Sequence, residues 1–457
     1  MRKIGKLWIG MCMICLLAAC GAEEKQEGND ATATPEITSE ATVTPVPTAT
    51  PEPTATPKPT ATPVPVVAYD EGYWQRVTDE YADGRFDLTA ALMQPALKDL
   101  CKGYFKMGVG LTGSALQNMA IQSDEYMTVA RKHFNSCTLT NLMKPTYMLD
   151  QTGCVKNAAE GNEEPALTFA CVDEILQWCV DNEVPMRGHT LVWHTQTPDW
   201  FFREGYKNDG EYVDRETMLI RLDSYIKQVL TYCQDNYPGA IYCWDVVNEA
   251  VDEGGDPNSF YLCRTKTGEG DPNPWYVVVG DDYVEQAFRS ARKYAAEDVK
   301  LFYNDFNTYF SKKRDAIYRL CEHLKEEGLI DGIGMQGYWT GANTGSIEMA
   351  IKTFAKLGLE IQITELSIDA ADLSEEELEK QAKSYGSLFY MFSYLDEQGG
   401  GPANITSVTL FGLQDGFVMY NGSDKTTSRI FDKDFQPKPA FEKIAKIMNN
   451  TYKNREE

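Results

Sequence analysis

Ile241-Tyr242-Cys243-Trp244-Asp245-Val246-Val247-Asn248-Glu249 is a short β-rich run that stops on two polar side chains. Runs of this kind recur along the chain at Lys106–Thr112, Ser136–Asn141, Pro185–Trp193, Lys300–Asp305, Gly332–Gly337, Glu360–Leu366 and Ser407–Leu413. Between them lie longer stretches with apolar residues at helical spacing, among them Leu167–Asn182, Glu216–Asn236, Tyr283–Ala296, Lys312–Glu327 and Glu375–Leu395. Eight strand–helix units in one chain imply an α/β fold whose parallel strands close into a (β/α)8 or TIM barrel. An open doubly wound sheet is the alternative, but no glycine-rich phosphate loop follows the first strand. In a barrel, the carboxyl ends of the strands form the active face.

Outside this region the chain changes character. Arg2, Lys3 and Lys6 precede an apolar stretch, Leu7 to Leu17, that is short for a membrane span. It runs into Leu17-Ala18-Ala19-Cys20, which looks like a bacterial lipobox, with Cys20 as the lipidated residue; an ordinary secretory signal is the other reading. Residues 21–68 hold nine of the 21 prolines and repeat Thr-Ala-Thr-Pro from Thr32, Thr48, Thr54 and Thr60. Such a segment cannot bury a core and is expected to be an extended linker, reaching up to roughly 140 Å. The expected organisation is a signal over 1–20, a Pro/Thr linker over 21–68 and one catalytic or binding domain over 69–457. That places the domain outside the cytoplasm, anchored at a bacterial cell surface, with the lipid as its sole membrane contact and a monomer as its state.

The 457 residues carry 43 Lys+Arg against 68 Asp+Glu, a formal charge of −25. A phosphate backbone would be repelled, which argues against nucleic acid as partner, whereas a neutral carbohydrate meets no such objection. The four histidines are not spaced as metal ligands, and no P-loop or zinc pattern occurs, so no metal or organic cofactor is expected. The acidic loop Asp252-Glu253-Gly254-Gly255-Asp256 fits no calcium-cage spacing and reads as a solvated loop. Nine cysteines follow Cys20, scattered and odd in number, and read mostly as buried small hydrophobes.

The strand ends hold the chemistry. They carry His189, Trp193, His194 and Gln196; Asn248 and Glu249; Asn304 and Asp305; Gln336, Tyr338 and Trp339; and Glu365. Rings that stack on sugar faces, amides that bond hydroxyls and a pair of carboxylates describe a carbohydrate site. Glu249 and Glu365 stand out because glycoside hydrolysis needs two carboxylates, one to protonate the leaving oxygen and one to attack or to activate water. A glutamate after a strand, taken alone, is more often a surface or helix-capping residue than a catalytic one. Trp200 and Trp275 read equally as sugar platforms or as loop packing, and Trp178 reads as core.

At these residues the chain resembles glycoside hydrolase family 10, the endo-β-1,4-xylanase family, from about Leu97 to Ile447. The resemblance rests on Gly188-His189-Thr190-Leu191-Val192-Trp193-His194, Trp244-Asp245-Val246-Val247-Asn248-Glu249-Ala250 and Ile363-Thr364-Glu365-Leu366. Thr112-Gly113-Ser114-Ala115-Leu116, His133-Phe134-Asn135-Ser136, Tyr303-Asn304-Asp305 and Phe435-Gln436-Pro437-Lys438-Pro439 support it. It implies a barrel that cleaves β-1,4-xylan internally with retention, Glu249 as acid/base and Glu365 as nucleophile. It also implies that Asn248 bonds the sugar 2-hydroxyl, that His189, Asn141 and Lys144 line the glycone side, and that Trp193, Gln196 and Gln336 are further binding positions. The neighbouring charge of Glu365 is expected to help keep Glu249 protonated before reaction.

The sequence departs from the family pattern in places. Thr140 and Pro145 stand where the family has Glu and Trp, Tyr338 where it has His, Ser367 where it has Asp, and Phe411 and Met419 where it has tryptophans. The His and Asp support the nucleophile in the family, so Tyr338 becomes the candidate to orient Glu365. The smaller ceiling residues leave three substrate readings: a decorated xylan, another β-linked glycan, or weak turnover on a glycan-binding surface lipoprotein.

Overall fold

The computed structural model describes residues 71–81, 86–112, 120–416 and 427–456. The signal, Cys20, the linker, Gly113–Leu116 and Met419 lie outside the described residues. Eight parallel strands form a closed barrel in which each pairs with its sequence neighbours and the last pairs with the first. They are β1 (Lys106–Leu111), β2 (Ser136–Leu139), β3 (Met186–Trp193), β4 (Ile241–Asn248), β5 (Lys300–Asp305), β6 (Gly332–Met335), β7 (Glu360–Leu366) and β8 (Asn404–Leu410). The expected barrel is therefore present, and all eight strands fall within the runs chosen from sequence, with one shift. β8 begins and ends three residues earlier than read, because Asn404 already pairs with Glu360 and Gly412, at φ 106°, turns the chain out of the sheet before Leu413.

The helices follow the same logic. Arg215–Asn236, Tyr283–Tyr294, Ser311–Glu326 and Glu375–Leu395 lie within a residue or two of their sequence bounds. The remaining one is shorter than expected, Asp173–Asp181 instead of Leu167–Asn182. Leu167 pairs antiparallel with Leu149 instead, Thr168 N–H donating to Met148 O at 2.8 Å, so this stretch spends its backbone groups outside a helix. Trp178 is half-buried on that helix and packs against the core, as expected, and Trp275 is fully buried, edge-on to Phe202 at 4.8 Å. Trp275 is thus packing. Trp200 is half-buried and meets Phe201 and Tyr206 edge-on.

Inside the barrel the apolar layers are interrupted by one charged assembly. Arg187 on β3 donates to both carboxylate oxygens of Asp245 on β4, at 2.6 and 3.1 Å, and to Gln362 on β7 at 2.6 Å. Both charged side chains are almost wholly excluded from water. Burial favours a neutral Asp245, but Arg187 and the hydrogen bond from His189 outweigh it and hold its carboxyl below the usual range. Gly188 leaves the face of β3 open to the Trp244 ring, which would lie 2.3 Å from a Cβ there. The nine cysteines in the described residues are all free, and all but Cys171 are buried.

Candidate active site

Glu249 follows β4 directly and holds φ at 60°, a conformation uncommon for a residue with a side chain. Its N–H donates to Asn304 O at 2.9 Å, and its carbonyl accepts from Arg264 Nε at 2.7 Å, so the turn is pinned from both sides. The carboxylate accepts from Trp193 Nε1 on one oxygen at 3.0 Å. On the other it accepts from Gln336 Nε2 at 2.8 Å and Asn248 Nδ2 at 3.3 Å. Burial pushes this carboxyl up, but the charge of His194, the donors Gln336 and Trp193, and Arg264 prevail and hold it below the usual range. His194 is itself pushed down to about 4 by burial, so above that pH the hydrogen bonds and Arg264 remain. The expected hold of Glu365 on a protonated Glu249 is therefore reversed in the free chain: the donors around Glu249 favour its anion.

Glu365, near the end of β7, is buried at 6% exposure. One carboxylate oxygen accepts from Asn304 Nδ2 at 3.1 Å and the other from the Tyr338 phenol at 2.7 Å. Tyr338 is 44% exposed, and Phe411 meets its ring edge-on at 5.7 Å. The two glutamates belong to one hydrogen-bonded frame. Asn248 Oδ1 accepts from Asn304 Nδ2 at 3.0 Å and from Gln336 Nε2 at 3.3 Å, linking Glu365 through Asn304 and Asn248 to Gln336 and Glu249. Thr364 donates to Asn304 Oδ1 at 2.7 Å, which leaves the amide nitrogen aimed at Glu365.

On the β2–β3 side, Lys144 is buried, donates to Asn141 Oδ1 at 3.1 Å and lies over the Trp193 ring at 4.7 Å. Burial brings its pKa down to about 8 against the pull of Glu365 and Glu249, which places both carboxylates within its field. His189 stands lower, its Nδ1 on Asp245 Oδ2 at 2.9 Å. Gln196 is bound through its backbone carbonyl to Thr146, and its side-chain Oε1 is buried without a hydrogen-bond partner. The structure thus gathers Asn141, Lys144, Trp193, Asn248, Glu249, Gln336, Tyr338, Glu365 and Phe411, with His189 beneath them and Gln196 at the margin.

Asn304, named from sequence only as a strand-end residue of Tyr303-Asn304-Asp305 and given no role there, joins the two glutamates: its side chain donates to Asn248 and Glu365, and its carbonyl accepts from the Glu249 N–H. Below it, Asp305 pairs with Lys313 at 2.6 Å in a fully buried contact. The acidic loop 252–256 holds Asp252 against Arg264 at 3.3 Å. Among the described residues no group of three or more His, Cys, Asp or Glu is placed to hold a metal.

Two carboxylates in a shared frame, one ringed by amide and indole donors and one held by a phenol and an amide, can act as an acid/base and nucleophile pair at an acetal carbon. Residues 96–447 match the sequence model of glycosyl hydrolase family 10. A Caldicellulosiruptor saccharolyticus protein is 43% identical over 311 residues, covering 65% of this chain and 95% of its own length. Endo-1,4-beta-xylanase B of Butyrivibrio fibrisolvens is 41% identical over 335 residues, 73% of this chain, which spans 49% of that protein. Among solved structures, the CBM22-1–GH10 modules of a Clostridium thermocellum endo-1,4-beta-D-xylanase in complex with xylohexaose align with a TM-score of 0.68 at 32% identity. That alignment covers 78% of this chain and 67% of theirs.

Proposed function

The chain belongs to glycosyl hydrolase family 10, and from that premise we propose that it is a retaining endo-β-1,4-xylanase with Glu365 as nucleophile and Glu249 as acid/base. The observation that supports the two glutamates as one working pair is the continuous frame from Glu249 through Gln336, Asn248 and Asn304 to Glu365, and the role of each follows the family pattern at Asn248-Glu249 and Thr364-Glu365. Glu365 attacks the anomeric carbon as Glu249 gives its proton to the departing glycosidic oxygen; the C–O bond of the polymer breaks and an ester to Glu365 forms. Glu249, now a carboxylate, takes a proton from water, which attacks the same carbon and releases the sugar from Glu365.

Because donors hold Glu249 low in the free chain, the acid form is favoured on binding, when sugar excludes water from the carboxyl and presents an oxygen that accepts its proton. Tyr338 takes the orienting place of the family histidine, and its hydrogen bond to Glu365 supports turnover over mere glycan capture. Asn248 is suited to the 2-hydroxyl of the sugar at the cleavage point, with Asn141, Lys144, Trp193 and, at the margin, Gln196 on the glycone side. Phe411 walls that point through Tyr338, and His189 supports it from below.

Residues 1–20 and 21–68 are read as a lipoprotein signal and a stalk, with Cys20 carrying the lipid and the domain held at a bacterial cell surface as a monomer; the composition of those segments is what supports this. Cys20→Ala should release the protein from the membrane fraction, and retention there would remove the anchor. The function is tested on linear xylan, arabinoxylan, glucuronoxylan, mixed-linkage glucan and cellulose. Reducing ends should appear with one or more xylans and be absent with Glu365→Ala. Binding without release on every polymer would overturn the hydrolase reading.

A further inference from the structure

The chain beyond Glu249 is held from behind by groups that the glutamate frame does not use. Glu249 keeps φ at 60°, a conformation that persists only where the surroundings over-determine it. Arg264 serves the carbonyls of this segment. Its N–H donates to Ala250 O at 2.8 Å, its Nε to Glu249 O at 2.7 Å and its Nη2 to Val251 O at 3.3 Å. Two N–H groups turn the other way, to β5. Glu249 N–H donates to the Asn304 carbonyl at 2.9 Å, and Val251 N–H donates to the Tyr303 phenol oxygen at 3.0 Å.

Alternation along β5 explains how one strand serves both glutamates. Asn304 sends its amide into the frame at Asn248 and Glu365, so Tyr303 and Asp305 leave the opposite face together. There the Tyr303 phenol donates to one oxygen of Asp305 at 2.5 Å. Lys313, on the helix Ser311–Glu326, meets the other oxygen at 2.6 Å, and Phe306 N–H donates to it at 2.8 Å. Val251, Tyr303 and Asp305 are wholly buried, and Lys313 is 3% exposed.

The direction of these bonds is fixed by chemistry. An ionised carboxylate only accepts, so the phenol proton goes to Asp305 and the phenol oxygen is left to accept from Val251. Donation to Asp305 also strengthens that oxygen as an acceptor. A buried ion pair is weak evidence for stability, because apolar residues of similar volume often do as well. This pair stands behind the turn that carries the acid/base. Burial pushes the Asp305 carboxyl up, Lys313 opposes it and the charge of Glu249 adds to the push, which places Asp305 within the field of Glu249.

We infer that Tyr303 and Asp305 are positioning residues for the acid/base: Lys313 fixes Asp305, Asp305 fixes the Tyr303 phenol, and the phenol holds Val251 so that the turn aims the Glu249 carboxyl at the glycosidic oxygen. The inference rests on the xylanase reading. It gives proton transfer a support of its own, apart from the Tyr338 and Asn304 side chains that hold the nucleophile.

The test uses leaving groups. Phenyl β-xylobioside needs a proton on its departing oxygen, whereas 2,4-dinitrophenyl β-xylobioside departs as a stable phenolate without one. Sites are counted by loading Glu365 with 2,4-dinitrophenyl 2-deoxy-2-fluoro-β-xylobioside, so that only folded, competent protein enters each rate. In Tyr303→Phe, kcat/KM per site should fall about tenfold on phenyl β-xylobioside and xylohexaose, the decade that one hydrogen bond is worth, and less than about twofold on the dinitrophenyl substrate. On the dinitrophenyl substrate kcat and KM should fall together, because release of the sugar from Glu365 needs Glu249 as base. The double variant Asp305→Asn/Lys313→Met removes both buried charges at once. Its neutral amide holds the phenol less firmly, so it should show the same preference for the activated substrate, and it carries the test if Tyr303→Phe loads few sites. Equal losses on activated and unactivated substrates, or no loss on either, would overturn the inference. Wild-type protein inactive on all three substrates would instead remove the xylanase reading and this inference with it.

Discussion

Tyr338 supplies the nucleophile with a neutral hydrogen-bond donor. Its phenol reaches one oxygen of Glu365 while Asn304 holds the other, so the carboxylate is fixed at both ends. A hydrogen bond to a charged group contributes about 1.5–3 kcal/mol, and Tyr338→Phe should therefore lower kcat by about ten- to a hundredfold while Tm stays within a few degrees. Tyr338→His should recover part of the loss, and unchanged turnover in the Phe variant would remove Tyr338 from the mechanism. At Glu249 the sign is fixed by its donors. Trp193→Phe removes one of them from the anion, which raises the carboxyl pKa and moves the alkaline limb of the kcat/KM profile up by about one pH unit. An alkaline limb that stays in place would mean that another group controls it.

At the scale of elements, β3, β4 and β7 are joined inside the barrel by Arg187, Asp245 and Gln362. Asp245 is the sole carboxylate in salt-bridge contact with Arg187 among the described residues, and Arg187 has no route to water. Asp245→Asn should cost about 3–5 kcal/mol of stability by leaving that guanidinium buried without its counter-ion, read as the shift in a guanidinium chloride unfolding curve; a loss below about 1 kcal/mol would show that the pair is not needed. These strands were legible in sequence because each is a short β-rich run bounded by polar or turn residues. The end of β8 was not, since Gly412 breaks it through a backbone angle that no side-chain pattern announces. Nor was the late start of the helix Asp173–Asp181, where pairing with Leu149, distant in sequence, overrides local helical spacing.

For the whole molecule, acid should act through buried histidines before it acts through carboxylates. Burial pushes His133 down to about 3 and His194 to about 4. An unfolded chain binds protons at both positions below about pH 6.5, whereas the folded one does not until those lower values are reached. Unfolding therefore takes up protons in this window, and stability falls as pH falls, by about 1.4 kcal/mol per pH unit for each histidine. Asp245, held below the usual carboxylate range, adds a contribution that is present above pH ~4 and is lost on further acidification through its lower folded value. Tm should thus decline steadily from pH 6.5 to 4.5, and His133→Gln should flatten the decline; parallel curves for the two proteins would exclude His133 as the cause.

The order of strands and helices, the closure into a barrel and the two glutamates at strand ends follow from local pattern and from motifs contiguous in the chain. Those are short-range properties, written in consecutive residues. Which groups hold each glutamate is a long-range property. Asn304 meets Glu365 across 61 positions, Gln336 meets Glu249 across 87, and Trp193 meets Glu249 across 56. These contacts exist because barrel closure brings the strand ends onto one rim. The charge state of Glu249 depends on them, so linear order alone pointed to the opposite sign: it registered a second carboxylate and not the donors that folding places against the first.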